Sequence, residues 1–184
     1  MQEGGGAAIA VGWEGGSSPA RPEARHPRSD RAALRTARIL LLVSTAATLA
    51  LDQATKAMAL HLLEPGERVP VAGALFGLRL VRNSGGAFGI LPGAPVFFFA
   101  ASLLIVGFVA VWGWRSGTHS VALGLVAGGG IGNLVDRLVR PPGGIMGSVV
   151  DFLQLPYWPT FNLADTAIVV GAGLLLLAQL RRRD

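Results

Sequence analysis

Residues 120–140 read Ser-Val-Ala-Leu-Gly-Leu-Val-Ala-Gly-Gly-Gly-Ile-Gly-Asn-Leu-Val-Asp-Arg-Leu-Val-Arg. The run is apolar for most of its length, yet Asn133, Asp136 and Arg137 stand at its end. Their spacing of three and four puts them on one face of a final helical turn. Gly124, Gly128 and Gly132 recur every four residues, with Gly129 and Gly130 between. Small residues at that spacing let two helices approach closely in a membrane, so the glycines are read as packing rather than as a ligand cradle. They are not a dinucleotide fingerprint, which needs a preceding soluble strand and a different glycine spacing.

Three more apolar stretches flank this one: about 39–60, 95–114 and 163–180. With 120–138 they make four segments of about the 20 residues that cross a hydrocarbon core. Backbone polar groups in lipid must be satisfied within the segment, so all four are expected to be helices. The expected fold is therefore an all-α membrane protein, a bundle of four transmembrane helices. Composition agrees. The 184-residue chain is 51% hydrophobic and only 15% charged, with a mean hydropathy of +0.51, whereas soluble domains carry roughly a quarter charged residues. The net charge of +5 does not point to nucleic acid, because the basic residues sit beside the apolar runs. There is no cysteine, which excludes disulfides, zinc–thiolate sites and a Cys nucleophile.

The arginines orient the bundle. Arg21, Arg25, Arg28, Arg31, Arg35 and Arg38 precede the first segment, Arg115 lies between the second and third, and Arg181, Arg182 and Arg183 follow the fourth. Four crossings put all of these on one side, which the positive-inside rule makes cytoplasmic, with both termini. Arg68, Arg79, Arg82, Arg137 and Arg140 fall on the other side. Residues 1–38, rich in Gly, Pro and Arg, are expected to be a disordered basic cytoplasmic tail, leaving 39–184 as the membrane domain. A cleaved signal peptide is the weaker reading of the tail plus the first segment.

The outer ends of the segments hold the chemistry. The first segment carries Asp52-Gln53-Ala54-Thr55-Lys56, where Asp52 and Lys56 share a face and can pair. The loop between the first two segments, about 62–91, holds Arg68–Val71 and then Leu75–Arg82. The second stretch, with a period near two, reads as one or two short strands, and the loop is expected to form a small extracytoplasmic sheet on the membrane surface. Asn83-Ser84-Gly85-Gly86-Ala87-Phe88-Gly89 follows as a turn or a surface of close approach. Beyond Arg137 come Val149-Val150-Asp151-Phe152 and then Phe161-Asn162-Leu163-Ala164-Asp165. Thr160 or Asn162 caps the fourth helix, with Asp165 in its first turn. Carboxylates and amides from several segments thus converge at one membrane face.

Neither His-Glu-x-x-His nor Gly-x-Ser-x-Gly occurs. His26 and His119 fall on the cytoplasmic side, and His61 is a helix-end residue. A pair of carboxyls sharing one proton remains, able to activate water without a cofactor. Spacing alone leaves open which two of the four aspartates pair. Asp52 has Lys56 as partner, and Asp136 has a neighbouring cation or backbone amides. Asp151 and Asp165 lack an adjacent cation, which leans toward them.

The set Asp52-Gln-x-Thr-Lys56, Asn83-x-Gly-Gly-Ala-Phe88, Gly132-Asn133-x-x-Asp136-Arg137, Val150-Asp151-Phe152 and Phe161-Asn162-x-Ala-Asp165 resembles, in order and placement, the bacterial lipoprotein signal peptidases (signal peptidase II). The resemblance covers about Ile39 to Leu180. It implies a membrane aspartic endopeptidase that removes the signal peptide from diacylglyceryl-modified prolipoproteins, cutting on the amino side of the lipidated Cys. It implies Asp151 and Asp165 as the catalytic dyad. It implies Asn83, Asn133, Arg137 and Asn162 as residues lining or supporting the site, and Asp52, Lys56 and Asp136 as residues shaping it. No cofactor and no metal are implied. The expected partners are the prolipoprotein substrates and membrane lipid, for a monomer in the bacterial inner membrane with its site near the extracytoplasmic face. The chain differs from the family's usual pattern at Gly86, where Ala is usual. Its Asp136–Asp151 connection is longer and its Asp151–Asp165 connection shorter. The alternative functions are a small proton- or ion-coupled transporter using interfacial carboxylates and a non-enzymatic scaffold. Transporters more often hold such groups at the midplane, and no internal repeat is found.

Overall fold

The computed structural model describes residues 27–85 and 95–182. Four helices and three strands follow one another as α1 (Pro27–Leu62), β1 (Arg68–Ala72), β2 (Phe76–Asn83), α2 (Pro95–Ser116), α3 (Ser120–Val139), β3 (Val149–Gln154) and α4 (Leu163–Leu180). All four helices are long and apolar enough to cross a membrane. The segments expected at 95–114, 120–138 and 163–180 are helices within two residues of those bounds.

The first segment differs. α1 begins at Pro27 rather than at Ile39, so the end of the stretch read as a disordered tail is helical. Pro27 has the fixed φ suited to a first helical position, and Asp30 sits in the first turn. Leu34, Ala37 and Leu41 continue a helical stripe, and Ala37 and Leu41 are buried. The expectation of disorder for residues 1–26, and the glycines at 86 and 89, lie outside the described residues.

α3 is the centre of the bundle. In its most apolar window 67% of residues are buried, against 11%, 11% and 17% in α1, α2 and α4, whose outward faces carry large apolar side chains such as Leu104, Phe108 and Leu176. That is the pattern of helices facing lipid. Leu41 of α1, Val109 of α2 and Leu123, Val126 and Ala127 of α3 form the buried cluster, with Leu175 of α4 against it. The glycines of α3 make this possible. A Cβ on Gly128 would lie 2.7 Å from the Thr45 carbonyl of α1, and one on Gly129 would collide with the Ala164 carbonyl of α4. The packing reading of the run is the correct one.

The sheet is antiparallel in the order β1-β2-β3. The strand expected over Leu75–Arg82 is present as β2, and the Arg68–Val71 stretch before it is a further strand, β1. β3 is a third strand that the sequence reading left as an apolar stretch; its first four residues are all buried, so it shows no alternation. The long Asp136–Asp151 connection is compact. A single 3-10 turn at Gly144–Met146 folds it back, and the Gly147 N–H donates to the Arg137 carbonyl at 3.1 Å. The short Asp151–Asp165 connection turns through Tyr157, whose φ is 58°. It returns so that Phe161 exchanges hydrogen bonds with Leu153 at 2.8 and 3.0 Å.

Candidate active site

The ends of α1, α3 and β3 and the start of α4 meet at one end of the bundle, and every site residue expected from the sequence is drawn into this junction. They separate into two connected layers. The inner layer is ionic. Lys56, fully buried, lies 2.9 Å from Asp52 Oδ2 and 3.0 Å from Asp136 Oδ2. Asp136 Oδ1 takes an ion pair from Arg140 Nε at 2.7 Å, and its Oδ2 accepts the Val150 N–H at 3.0 Å. Asp52 Oδ1 accepts the Ala164 N–H at 3.0 Å. These two carboxylates, neutralised by cations, therefore tie β3 to α3 and α4 to α1.

Two members of the inner layer were not singled out from sequence. Arg140 stands four residues after Asp136, a helical pairing distance that the spacing itself contained. Gln53 donates to Asp52 at 3.1 Å, to the Gly132 carbonyl at 3.2 Å and to Asp136 at 3.3 Å. Arg137 does not join its neighbour Asp136. Its guanidinium donates to the Gly85 carbonyl at 3.0 Å and to the Gly147 carbonyl at 3.3 Å, and it lies 5.9 Å from the Phe98 ring. It holds together the end of the β2 segment, the 140s connection and the start of α2.

The outer layer is made of carboxylates held by neutral donors. Asp151 Oδ1 accepts from Asn162 Nδ2 at 2.7 Å, and Oδ2 from Asn83 Nδ2 at 2.9 Å. Asp165 Oδ1 accepts from Asn133 Nδ2 at 2.8 Å. Its Oδ2 accepts the Asn162 N–H at 3.3 Å, while the Asp165 N–H donates to Asn162 Oδ1 at 2.9 Å. That reciprocal pair is a capping box, so Asn162, not Thr160, caps α4. The capping residue thus orients both aspartates. Asn133 links the layers, because its Oδ1 accepts from Lys56 Nζ at 2.9 Å.

The sheet explains why Asn83 faces Asp151. Val81 pairs with Asp151 and Asn83 with Val149, so Asn83 and Asp151 are diagonal neighbours on one face. From Leu78 to Val81 β2 advances three residues while β3 moves two, from Leu153 to Asp151. This bulge sets the phase; without the extra residue the Asn83 side chain would point to the opposite face.

Asp151 and Asp165 line one cavity of about 360 Å³, together with Asn83, Asn133, Arg137 and Trp158. Phe98 and Ser102 of α2 and Ile168 and Val169 of α4 extend its wall into the bundle. Asp52, Lys56, Asp136 and Asn162 are buried behind that wall. Asp151 is only 2% exposed. Burial, and next the charge of Asp165, push its carboxyl up to about 7, against the opposing pull of the Asn83 and Asn162 hydrogen bonds. A carboxyl with that value can hold a proton near neutral pH beside a second carboxyl. Such a pair can act as base and acid on one water. Among the described residues no cluster of three or more His, Cys, Asp or Glu is grouped to hold a metal ion.

Comparison with known proteins gives the same direction. The family model described as Signal peptidase (SPase) II matches residues 44–181. The chain is 43% identical over 162 residues to the lipoprotein signal peptidase of Mycobacterium avium (strain 104), covering 85% of this chain and 82% of that one. It is also 43% identical over 150 residues to that of Pelotomaculum thermopropionicum, covering 79% and 95%. A solved bacterial membrane enzyme, determined by the in meso method, superposes with a TM-score of 0.70 at 26% identity, covering 78% of this chain and 89% of that chain. With the matched segment running from α1 to the end of α4, the chain belongs to the signal peptidase II family, peptidases that process lipoproteins in the membrane.

Proposed function

We propose that the protein is an aspartic endopeptidase whose dyad is Asp151 and Asp165, and that it removes signal peptides from diacylglyceryl-modified prolipoproteins by cutting before the lipidated Cys. The observation that carries this reading is the shared cavity, which both carboxylates line, each oriented by amide donors, with the charge of Asp165 acting on Asp151.

Asp151 is assigned the proton, because burial and then the charge of Asp165 favour its neutral form. Asp165 then acts as base. It takes a proton from a water between the two carboxyls as the water oxygen attacks the scissile carbonyl carbon. Asp151 gives its proton to the carbonyl oxygen, which leaves a neutral tetrahedral gem-diol. Asp165 next passes its proton to the amide nitrogen, Asp151 recovers one from a hydroxyl, the C–N bond breaks, and the dyad returns to one proton. Asn162 and Asn133 keep both carboxyls oriented throughout. Arg137 braces the backbone around the cavity.

The substrate reaches the dyad from the bilayer between α2 and α4, both of which line the cavity and pack on α3. The acyl chains of the diacylglyceryl group remain in lipid. Both termini lie in the cytoplasm of a bacterial cell, the chain acts as a monomer in the inner membrane, and the sheet rests on the outer surface.

The test is cleavage of a diacylglyceryl prolipoprotein by purified wild type, Asp151→Asn and Asp165→Asn in proteoliposomes. Folded variants that no longer cleave support the dyad. Wild-type rates in either variant overturn it. A wild type that moves protons across the vesicle but cleaves nothing establishes the transporter reading instead.

A further inference from the structure

The opposite end of the bundle holds a second site that the cleavage reaction does not use. α1 has 36 residues, a length of about 54 Å at the usual helical rise, while the hydrocarbon core is about 30 Å thick. With the apolar stretch beginning near Ile39, the N-terminal part of α1 therefore extends past the hydrocarbon core into the headgroup region. There Arg31, Arg35, Arg38 and Leu42 recur at helical spacing on one face, and with Leu34, Ile39 and Trp114 of α2 they line a groove of about 390 Å³.

The groove has a polar mouth and an apolar floor. Arg38 is fixed over Trp114, its Nε donating to the Trp114 carbonyl at 3.1 Å and its guanidinium carbon 4.7 Å from the ring. That contact uses one N–H and leaves the guanidinium fork at the rim of the groove. Arg31 and Arg35 are exposed. Among the described residues none of these three arginines has a carboxylate within ion-pair distance. Asp30 is the nearest acidic residue in sequence, and it is exposed. A basic triad with no ion-paired carboxylate among the described residues, above Leu34, Ile39, Leu42 and an indole, matches a phosphate group joined to an alkyl chain.

We propose that this groove is a binding site for an anionic phospholipid, with the headgroup phosphate on Arg31, Arg35 and Arg38 and an acyl chain along Trp114, Ile39 and Leu42. The site anchors the junction of α1 and α2 at the membrane face remote from the dyad. It is independent of the cleavage chemistry.

The full chain is reconstituted in vesicles of phosphatidylcholine containing a minor fraction of either phosphatidylglycerol or phosphatidylcholine with brominated acyl chains, and tryptophan fluorescence is read. Brominated phosphatidylglycerol is expected to quench more than brominated phosphatidylcholine at equal mole fraction. The excess should vanish in Trp114→Phe. Loss of arginine charge in Arg31→Gln/Arg35→Gln should weaken the preference about five-fold or more per residue at low salt. Arg181→Gln/Arg182→Gln, charges at the same membrane face but outside the groove, should leave it intact. Equal quenching by the two lipids overturns the proposal, as does an equal loss in the Arg181/Arg182 control. Competition by free glycerol phosphate at the lipid's own effective concentration overturns the lipid as ligand.

Discussion

Asp52 and Asp136 lie in the same junction as Asp151 and Asp165, and the two pairs are solvated in opposite ways. The inner pair shares Lys56, and Asp136 takes Arg140 as well. The outer pair is met by the amides of Asn83, Asn133 and Asn162. A buried cation compensates the charge of a carboxylate and suits it to a structural strut, because removing either partner leaves an unpaired buried charge. Amide donors orient a carboxylate without neutralising it, so burial and the neighbouring charge still decide its proton. One kind of side chain thus stands in two environments within one junction, and the proposed division of roles between strut and dyad rests on the partner residues.

If that division is right, exchanging groups between the layers has unequal effects. The largest is in the outer pair. Asp151→Asn or Asp165→Asn should lower the cleavage rate by about 10²- to 10⁴-fold, with the unfolding midpoint close to wild type, as cleavage and detergent-unfolding assays on the same preparations will show. In the inner layer the order reverses. Lys56→Met leaves two buried carboxylates without their shared cation and should cost about 3–5 kcal/mol of stability. Unfolding in a denaturing detergent titration measures this, and adding Asp52→Asn should recover part of it. A variant that lost activity while keeping wild-type stability would show that Lys56 acts on the reaction directly.

Gly129→Val probes the packing that brings the layers together. Its side chain would meet the Ala164 carbonyl, displacing the first turn of α4 that carries Asp165, at a cost of about 2 kcal/mol. Asn83→Ala is the mildest test. It removes one of the two amide donors on Asp151 and should slow cleavage about ten-fold. The lost hydrogen bond favoured the charged form, so the alkaline limb of the pH profile should also move to higher pH.

Much of this was legible in the chain. The spans were set by apolar length, and the role of the α3 glycines by their four-residue spacing. The pairing of Asp52 with Lys56 followed from helical geometry. Asp136 was read as held by a neighbouring cation or by backbone amides, and it has both, although its cations are Lys56 and Arg140 rather than the adjacent Arg137. Other features are tertiary. β3 escaped because both its faces are covered, which removes the alternation that marks a strand. The start of α1 escaped because its buried positions are few and arginines fill the gaps. Nothing local to Asn162 says that its amide reaches Asp151 while its cap holds Asp165; that needs the Tyr157 turn to bring Phe161 back onto Leu153. The placement of Ser102 and Phe98 in the cavity wall likewise depends on how α2 packs on α3.

The proton on the dyad is the centre of this account, and the pH dependence of kcat/KM for wild-type cleavage reads it most directly. Burial and the charge of Asp165 raise Asp151 from an ordinary 3.8 to about 7, so its carboxyl holds a proton up to about that value and loses it above; the proposed dyad needs that proton. The same shift makes the folded state bind more protons than the unfolded one between those two values, so this carboxyl's contribution to stability declines as pH rises through that window. Activity should fall about ten-fold per pH unit above an inflection near 7, with a slope of one proton. A rate that stays flat, or rises, from pH 7 to about pH 9 under conditions where the protein remains folded would contradict the shared proton and with it the assignment of Asp151 and Asp165.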